Sequence, residues 1–316
     1  MSNQFRWSKS RAAVFSDCRR KYYLRYYRHW GGWEPEADDL SRLAYRLGKM
    51  TSMALLVGSA VHEVLARDFR SRKFGTAREA DPERAVDLMR TAWMNAKKEL
   101  WRENPKKYPP LFEIYYDRIP DGERLRGYAE KARRAVTTVK NSLLYSRIRS
   151  LTPSDLPWVD PVGEGFSQEI IFDIPPYQAI SAPDLVIREG ERVVIVDWKT
   201  GKENEADRKQ MEAAAVWAVQ KLGAGDQAIE GLLFYSETGQ ETRFPIGRPE
   251  REKVETVIRG EMAAMAACLE DEENNVPRAE EHFPLRENRA FCRYCEFQEI
   301  CWGMGGGNRE SVIGDR

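Results

Sequence analysis

Val193-Val194-Ile195-Val196-Asp197-Trp198-Lys199-Thr200-Gly201 is the stretch on which the fold turns. Its apolar run suits a strand covered on both faces, as in the interior of an α/β sheet. Asp197 and Lys199 follow without a break, and side chains two apart on a strand share a face, so both point the same way. A carboxylate and an ammonium at the end of a buried strand need each other or a ligand. Asp184 stands just upstream, in Ala182-Pro183-Asp184-Leu185-Val186, and Glu189-Gly190-Glu191 links the two apolar stretches as a short hairpin. If they pair through that turn, Asp184 and Asp197 converge. Two convergent carboxylates suit a hard divalent cation such as Mg²⁺ or Mn²⁺. Such an ion polarises a phosphodiester and acidifies water, while the lysine orients that water or offsets charge in the transition state. The triplet alone also fits a structural ion pair, the commoner meaning of so short a pattern.

Outward from this strand, the periodicity changes character. Residues 168–174, 182–188 and 192–198 predict three strands, bounded by Pro and Gly turns. A helix over 206–222 follows, then a strand over 229–236, an edge strand near 242–246 and a helix over 249–272. The first half is almost wholly helical. A helix capped by Ser8 or Ser10 runs to about Tyr27 and is broken by Trp30-Gly31-Gly32-Trp33. Further helices are expected over 40–54, after Gly58 (with Val61, Leu65 and Phe69 on one side), over 82–103 and over 122–150. The order predicts a mixed α/β core with a helical cover. The expected organisation is an N-terminal helical segment (1–57), a helical portion (58–165), an α/β core (166–247), a C-terminal helix with clustered cysteines (248–302) and a flexible tail (303–316).

The 50 basic and 50 acidic residues cancel, so nucleic-acid contact must come from local clusters and not a global field. One cluster lies at the start, with Arg6, Lys9, Arg11, Arg19, Arg20, Lys21, Arg25 and Arg28 opposed only by Asp17; within it Arg19, Arg20, Lys21 and Arg25 are interleaved with Tyr22, Tyr23, Tyr26 and Tyr27. Such cations can hold phosphates while the aromatics stack on unpaired bases; alternatively, the tyrosines pack inward and the cations form a solvated face. No apolar run is long enough to cross a bilayer, and the N-terminus lacks the apolar core of a signal peptide, so a cytoplasmic protein is expected.

Five cysteines are an odd number, which argues against a complete disulfide framework. Cys292, Cys295 and Cys301 crowd together, Cys18 stands alone near the start, and Cys268 is expected to be a buried helical thiol. Four thiolates suffice for a structural zinc or an iron–sulfur cluster.

Taken in order, these features resemble the RecB-like branch of the PD-(D/E)XK nuclease superfamily. The resemblance rests on Gly58-Ser59-Ala60-Val61-His62, the Asp184 strand, Asp197-Trp198-Lys199-Thr200-Gly201 and Gln210 on the following helix. Cys18-Arg19-Arg20-Lys21-Tyr22 is similar to the first cysteine motif of that branch, and Cys292-x-x-Cys295-x5-Cys301 to its C-terminal triplet. Iron–sulfur members include the CRISPR-associated exonuclease family and AddB-type nuclease domains. The resemblance implies a PD-(D/E)XK mixed-sheet core, His62, Asp184 and Asp197 as metal ligands, Lys199 as the catalytic lysine, and Gln210 as a helper. It also implies a [4Fe–4S] cluster on Cys18, Cys292, Cys295 and Cys301. Glu169 is a further candidate. Two departures stand out: Ala214 occupies the position of a usual aromatic, for which Trp217 is a substitute or simply core, and Arg19 replaces a usual proline.

The implied activity is a Mg²⁺- or Mn²⁺-dependent exonuclease acting on single-stranded or end-containing DNA, in repair, recombination or defence, with possible protein partners and no membrane. The competing expectation is a non-catalytic DNA-binding or scaffold subunit of a larger complex; intact Asp184, Asp197 and Lys199 favour the enzyme. A P-loop motor is poorly supported, since Gly48-Lys49-Met50-Thr51 lacks the upstream glycine.

Overall fold

The computed structural model describes residues 3–76, 78–161, 170–225 and 228–303. The N-terminal half is helical: α1 (Lys9–Asp17), α2 (Arg19–Tyr23), α3 (Asp39–Gly48), α4 (Met53–Lys73), α5 (Pro82–Lys97), α6 (Phe112–Tyr115), α7 (Gly122–Lys140) and α8 (Leu143–Ser150). There follow β1 (Trp158–Val159), β2 (Ile171–Ile174), β3 (Tyr177–Ile180), β4 (Leu185–Glu189), β5 (Arg192–Lys199), α9 (Glu205–Leu222), β6 (Ile229–Tyr235), β7 (Gln240–Pro245), α10 (Arg248–Ala266), β8 (Leu269–Asp271), β9 (Val276–Pro277) and α11 (Gln298–Gly303).

Five strands form the central sheet in the order β1-β4-β5-β6-β7. β5 and β6 run parallel, joined through α9, and the other neighbours are antiparallel. β5 is central because its residues tolerate full burial: Val193 to Val196 are all at most 1% exposed. Alternation sends Val193 and Ile195 into one core with α9 and α10, and Val194, Val196 and Trp198 into a second core with α4, α5 and α7. Apolar cover on both faces is what a strand at the centre of a mixed sheet requires. Glycine at 223 ends α9 in a left-handed conformation (φ 61°), which L side chains rarely adopt.

Several expected boundaries differ, each for a local reason. The helix to Tyr27 is interrupted at Cys18, whose extended backbone ends α1 and whose Sγ caps α2 by accepting the Lys21 N–H. A π-helical turn, Leu24–Arg28, then continues α2. The 40–54 helix stops at Gly48, because Thr51 bonds to the backbone of Pro110 and Phe112 and Ser52 caps a new helix. Gly58 therefore lies inside α4 and does not precede it. A Cβ there would sit 3.2 Å from Thr200 Oγ1, so glycine lets the helix close on the end of β5. The 122–150 helix divides at Asn141 and Ser142, the latter capping α8.

The 168–174 strand starts at Ile171 among the described residues and pairs with β3 in a separate hairpin, outside the central sheet. Its first two positions, with Glu169, lie outside the described residues, as does the tail from Met304. The 249–272 helix ends at Ala266; Cys268 lies beyond it and is half-buried, because β8 and β9 pair there. The N-terminal segment joins the hairpin through a bridge between Trp7 and Ala179.

Candidate active site

β4 and β5 pair with Leu185 opposite Val196, so the next position in register sets Asp184 opposite Asp197. Both carboxylates are buried, Asp184 at 9% and Asp197 at 3% exposure. Asp184 Oδ2 accepts the Trp198 backbone N–H at 2.7 Å, and its Oδ1 lies 2.8 Å from His62 Nδ1 on α4. Asp197 Oδ1 accepts from Gln210 Nε2 at 3.0 Å, and Oδ2 meets Lys199 Nζ at 2.6 Å. Lys199 Nζ also donates to Gln210 Oε1 at 2.9 Å. The structure thus gathers His62, Asp184, Asp197, Lys199 and Gln210, which come from α4, the approach to β4, the end of β5 and the first turns of α9.

Electrostatics follow from that crowding. Burial, then the neighbouring Asp184 charge, pushes the Asp197 carboxyl above its usual range, against the pull of Lys199 and His62. Burial works against charge on His62 and on Lys199, yet Asp184 outweighs it for the first and Asp197 for the second, so both are raised. The site is a compact arrangement of two carboxylates, a histidine and a lysine.

Two further residues belong to this network and escaped the sequence. Asp207 Oδ1 lies 3.4 Å from Lys199 Nζ and 2.9 Å from Lys9 Nζ, and Lys9 also donates to Gln210 Oε1 at 2.9 Å. Asp207 passes for an ordinary acid in the first turn of a helix, where the macrodipole favours it. Its place one helical turn before Gln210 was the available signal. Lys9 had a signal too: a cation in the first turn of α1 opposes the dipole and asks for a nearby anion.

Among the described residues no group of three or more His, Cys, Asp or Glu side chains is arranged to hold a metal ion. The donors nonetheless fit a hard divalent cation. Among the described residues, Asp197 Oδ2 is buried without a hydrogen-bond partner and meets the Lys199 ammonium, and Asp184 accepts from the backbone of the next residue, Trp198. Two buried, adjacent carboxylates are the oxygen donors that such a cation takes.

Cys18, Cys292, Cys295 and Cys301 line one cavity of about 230 Å³, with Lys21 and Phe297 in its wall. Burial raises the Cys295 and Cys301 thiols, the first also through Glu296 and the second through Cys18. Around the cavity the basic cluster turns inward. Arg20 pairs with Glu280 and donates to the Phe283 carbonyl, while Lys21 and Arg25 each meet Glu296 at 2.8 Å. Arg19 lies over the Phe15 ring. Tyr22 is fully buried, its hydroxyl shared between Arg11 and Tyr27, so it offers no face to a base. Trp217 is core, edge-on to Trp158.

No curated protein matches the chain. The family model of the PD-(D/E)XK nuclease superfamily, whose members are nucleases that use divalent metals such as Mg²⁺ or Mn²⁺, matches residues 6–302. That match runs from the residue before Trp7 into α11, across both cores and the paired carboxylates on β4 and β5. The chain belongs to the PD-(D/E)XK nuclease superfamily.

Proposed function

We propose that this chain is a Mg²⁺- or Mn²⁺-dependent deoxyribonuclease of the RecB-like branch, working as an exonuclease on single-stranded or end-containing DNA. The observation that carries it is the convergence of Asp184 and Asp197 beside Lys199 and Gln210. Asp184, Asp197 and His62 would hold the cation, which when bound polarises the phosphodiester and acidifies a water. Lys199 stands beside Asp197 to orient the attacking water and to offset charge as it builds on the phosphorus. Gln210 ties Asp197 to Lys199 through one amide. The preference for ends and single strands follows from the resemblance of the motif order, as does a cytoplasmic role in repair, recombination or defence alongside protein partners.

The same reading includes a structural [4Fe–4S] cluster on Cys18, Cys292, Cys295 and Cys301, supported by the single cavity these four residues line. Arg20 and Lys21 are paired with Glu280 and Glu296, which favours joining the chain's ends over phosphate contact as their main task. The deciding experiment is cleavage of end-labelled single- and double-stranded DNA by anaerobically purified protein, with Mg²⁺, Mn²⁺ or EDTA. Metal-dependent loss of label from the ends is expected. No cleavage with either metal, or cleavage undiminished by EDTA, would sink the proposal.

A further inference from the structure

Asp207 is 5% exposed and lies between two ammonium groups, Lys9 at 2.9 Å and Lys199 at 3.4 Å. An acid in the first turn of a helix normally faces water and gains a little from the macrodipole. A buried one between two lysines is costly to assemble, and its charge depends on those two partners for compensation. Gln210 Oε1 accepts from the same two lysines, which fixes the amide so that Nε2 faces Asp197 Oδ1 at 3.0 Å. Lys199 thus has two carboxylate partners, the near one being Asp197 at 2.6 Å.

Those two partners have different fates under the nuclease reading, on which this inference rests. A divalent cation at the paired carboxylates competes with Lys199 for Asp197. The ammonium, largely enclosed at 15% side-chain exposure, then needs another anion within reach. We infer that Asp207 is a positioning residue that retains Lys199 beside the paired carboxylates when a divalent cation takes up Asp197, and that Lys9 holds Asp207 in place. Without Asp207, Lys199 has no second carboxylate and swings toward solvent once the cation takes Asp197.

The test follows Lys199 itself as well as cleavage. Whole protein is treated with an amine-acetylating reagent, with and without Mg²⁺ and without DNA, and modification of Lys199 is read by peptide mass spectrometry. In the wild type, Mg²⁺ leaves the labelling of Lys199 unchanged. In Asp207→Asn, which keeps the shape and removes the charge, Mg²⁺ raises it several-fold. In cleavage, Asp207→Asn lowers kcat by about tenfold or more and leaves KM for DNA within about twofold, because the lost interaction acts on the reacting centre and not on binding. Lys199 labelling that ignores Mg²⁺ in Asp207→Asn overturns the inference. If that variant does not fold, Lys9→Met decides: Asp207 then loses the partner that holds it, so Mg²⁺ raises the labelling of Lys199 as in Asp207→Asn, and labelling that ignores Mg²⁺ overturns the inference. Wild-type cleavage is scored separately, so an inactive wild type removes the nuclease reading while the labelling still judges Asp207.

Discussion

Asp197 and Lys199 stand two residues apart on one face of β5, and their roles separate under mutation. Asp197 is the more deeply buried and carries the oxygen that lacks a hydrogen bond. Under the proposed function, Asp197→Ala should abolish both Mn²⁺ binding and cleavage, with far-ultraviolet circular dichroism unchanged. DNA binding should persist, since losing a carboxylate lessens repulsion of phosphate. Lys199→Ala should keep the cation but lose its electrostatic help, a cost of about a hundredfold or more in rate. Calorimetric titration with Mn²⁺ beside single-turnover cleavage separates the two variants. Full activity in a metal-bound Lys199→Ala protein would remove the lysine from the mechanism, and full activity in Asp197→Ala would move the active site elsewhere.

Elements place these residues by close approach. α4 meets the end of β5 at Gly58 and, one turn on, brings His62 to Asp184. α2 is held to the C-terminal segment by Arg20 with Glu280 and by Lys21 and Arg25 with Glu296. The α6 region reaches the same segment through Tyr115 to Glu299 and Tyr116 to the Glu296 carbonyl. Half-buried ion pairs of this kind contribute little singly; Phe297 and Ile300 pack with Leu24, Ala44 and Leu47 in one buried cluster, and under the proposed function a metal on the four cysteines would add to that fastening. Cys295→Ser should then lose iron and colour together and lower Tm by about 3–5 °C, as about 2–3 kcal/mol does in a chain of this size. Iron analysis and a thermal melt under nitrogen measure both. Wild-type iron and Tm in that variant would remove the cluster, whereas zinc in place of iron would change the metal and leave the four ligands.

Over the whole molecule the formal charge is zero, so pH acts through individual buried groups. His29 is half-buried against Tyr45, with its Nδ1 unpartnered. Burial, then the Lys49 and Arg25 charges, pushes it down to about 4. Between its ordinary value near 6.5 and that level, the unfolded chain binds a proton that the folded chain refuses. Stability from this group is therefore complete above about pH 6.5 and is lost as pH falls toward 4, by up to about 2 kcal/mol between pH 7 and 5. His29→Gln should flatten that part of the stability curve, as read by urea unfolding at both pH values. An unchanged slope would show that His29 takes up its proton in the fold without penalty. Among the described residues no helix is long and apolar enough to cross a membrane.

The sequence alone determined the elements whose signals are local. The Val193–Val196 run made a central strand because only such residues tolerate cover on both faces, and the Gly190 turn set its antiparallel neighbour. Asp197 and Lys199 shared a face because the strand period is two. Helix divisions at Cys18, Ser52 and Ser142 were harder to see, since each is a single capping residue inside a continuing apolar pattern. Only the tertiary structure decided what the basic, aromatic stretch packs against. Tyr22 fills a core with Arg11, and Arg20 and Lys21 find acids more than 250 residues away. It alone brought Lys9 to Asp207 across 198 positions. Pairing at that range depends on how α1 and α9 come to lie together, and no local periodicity records the position of one helix relative to another.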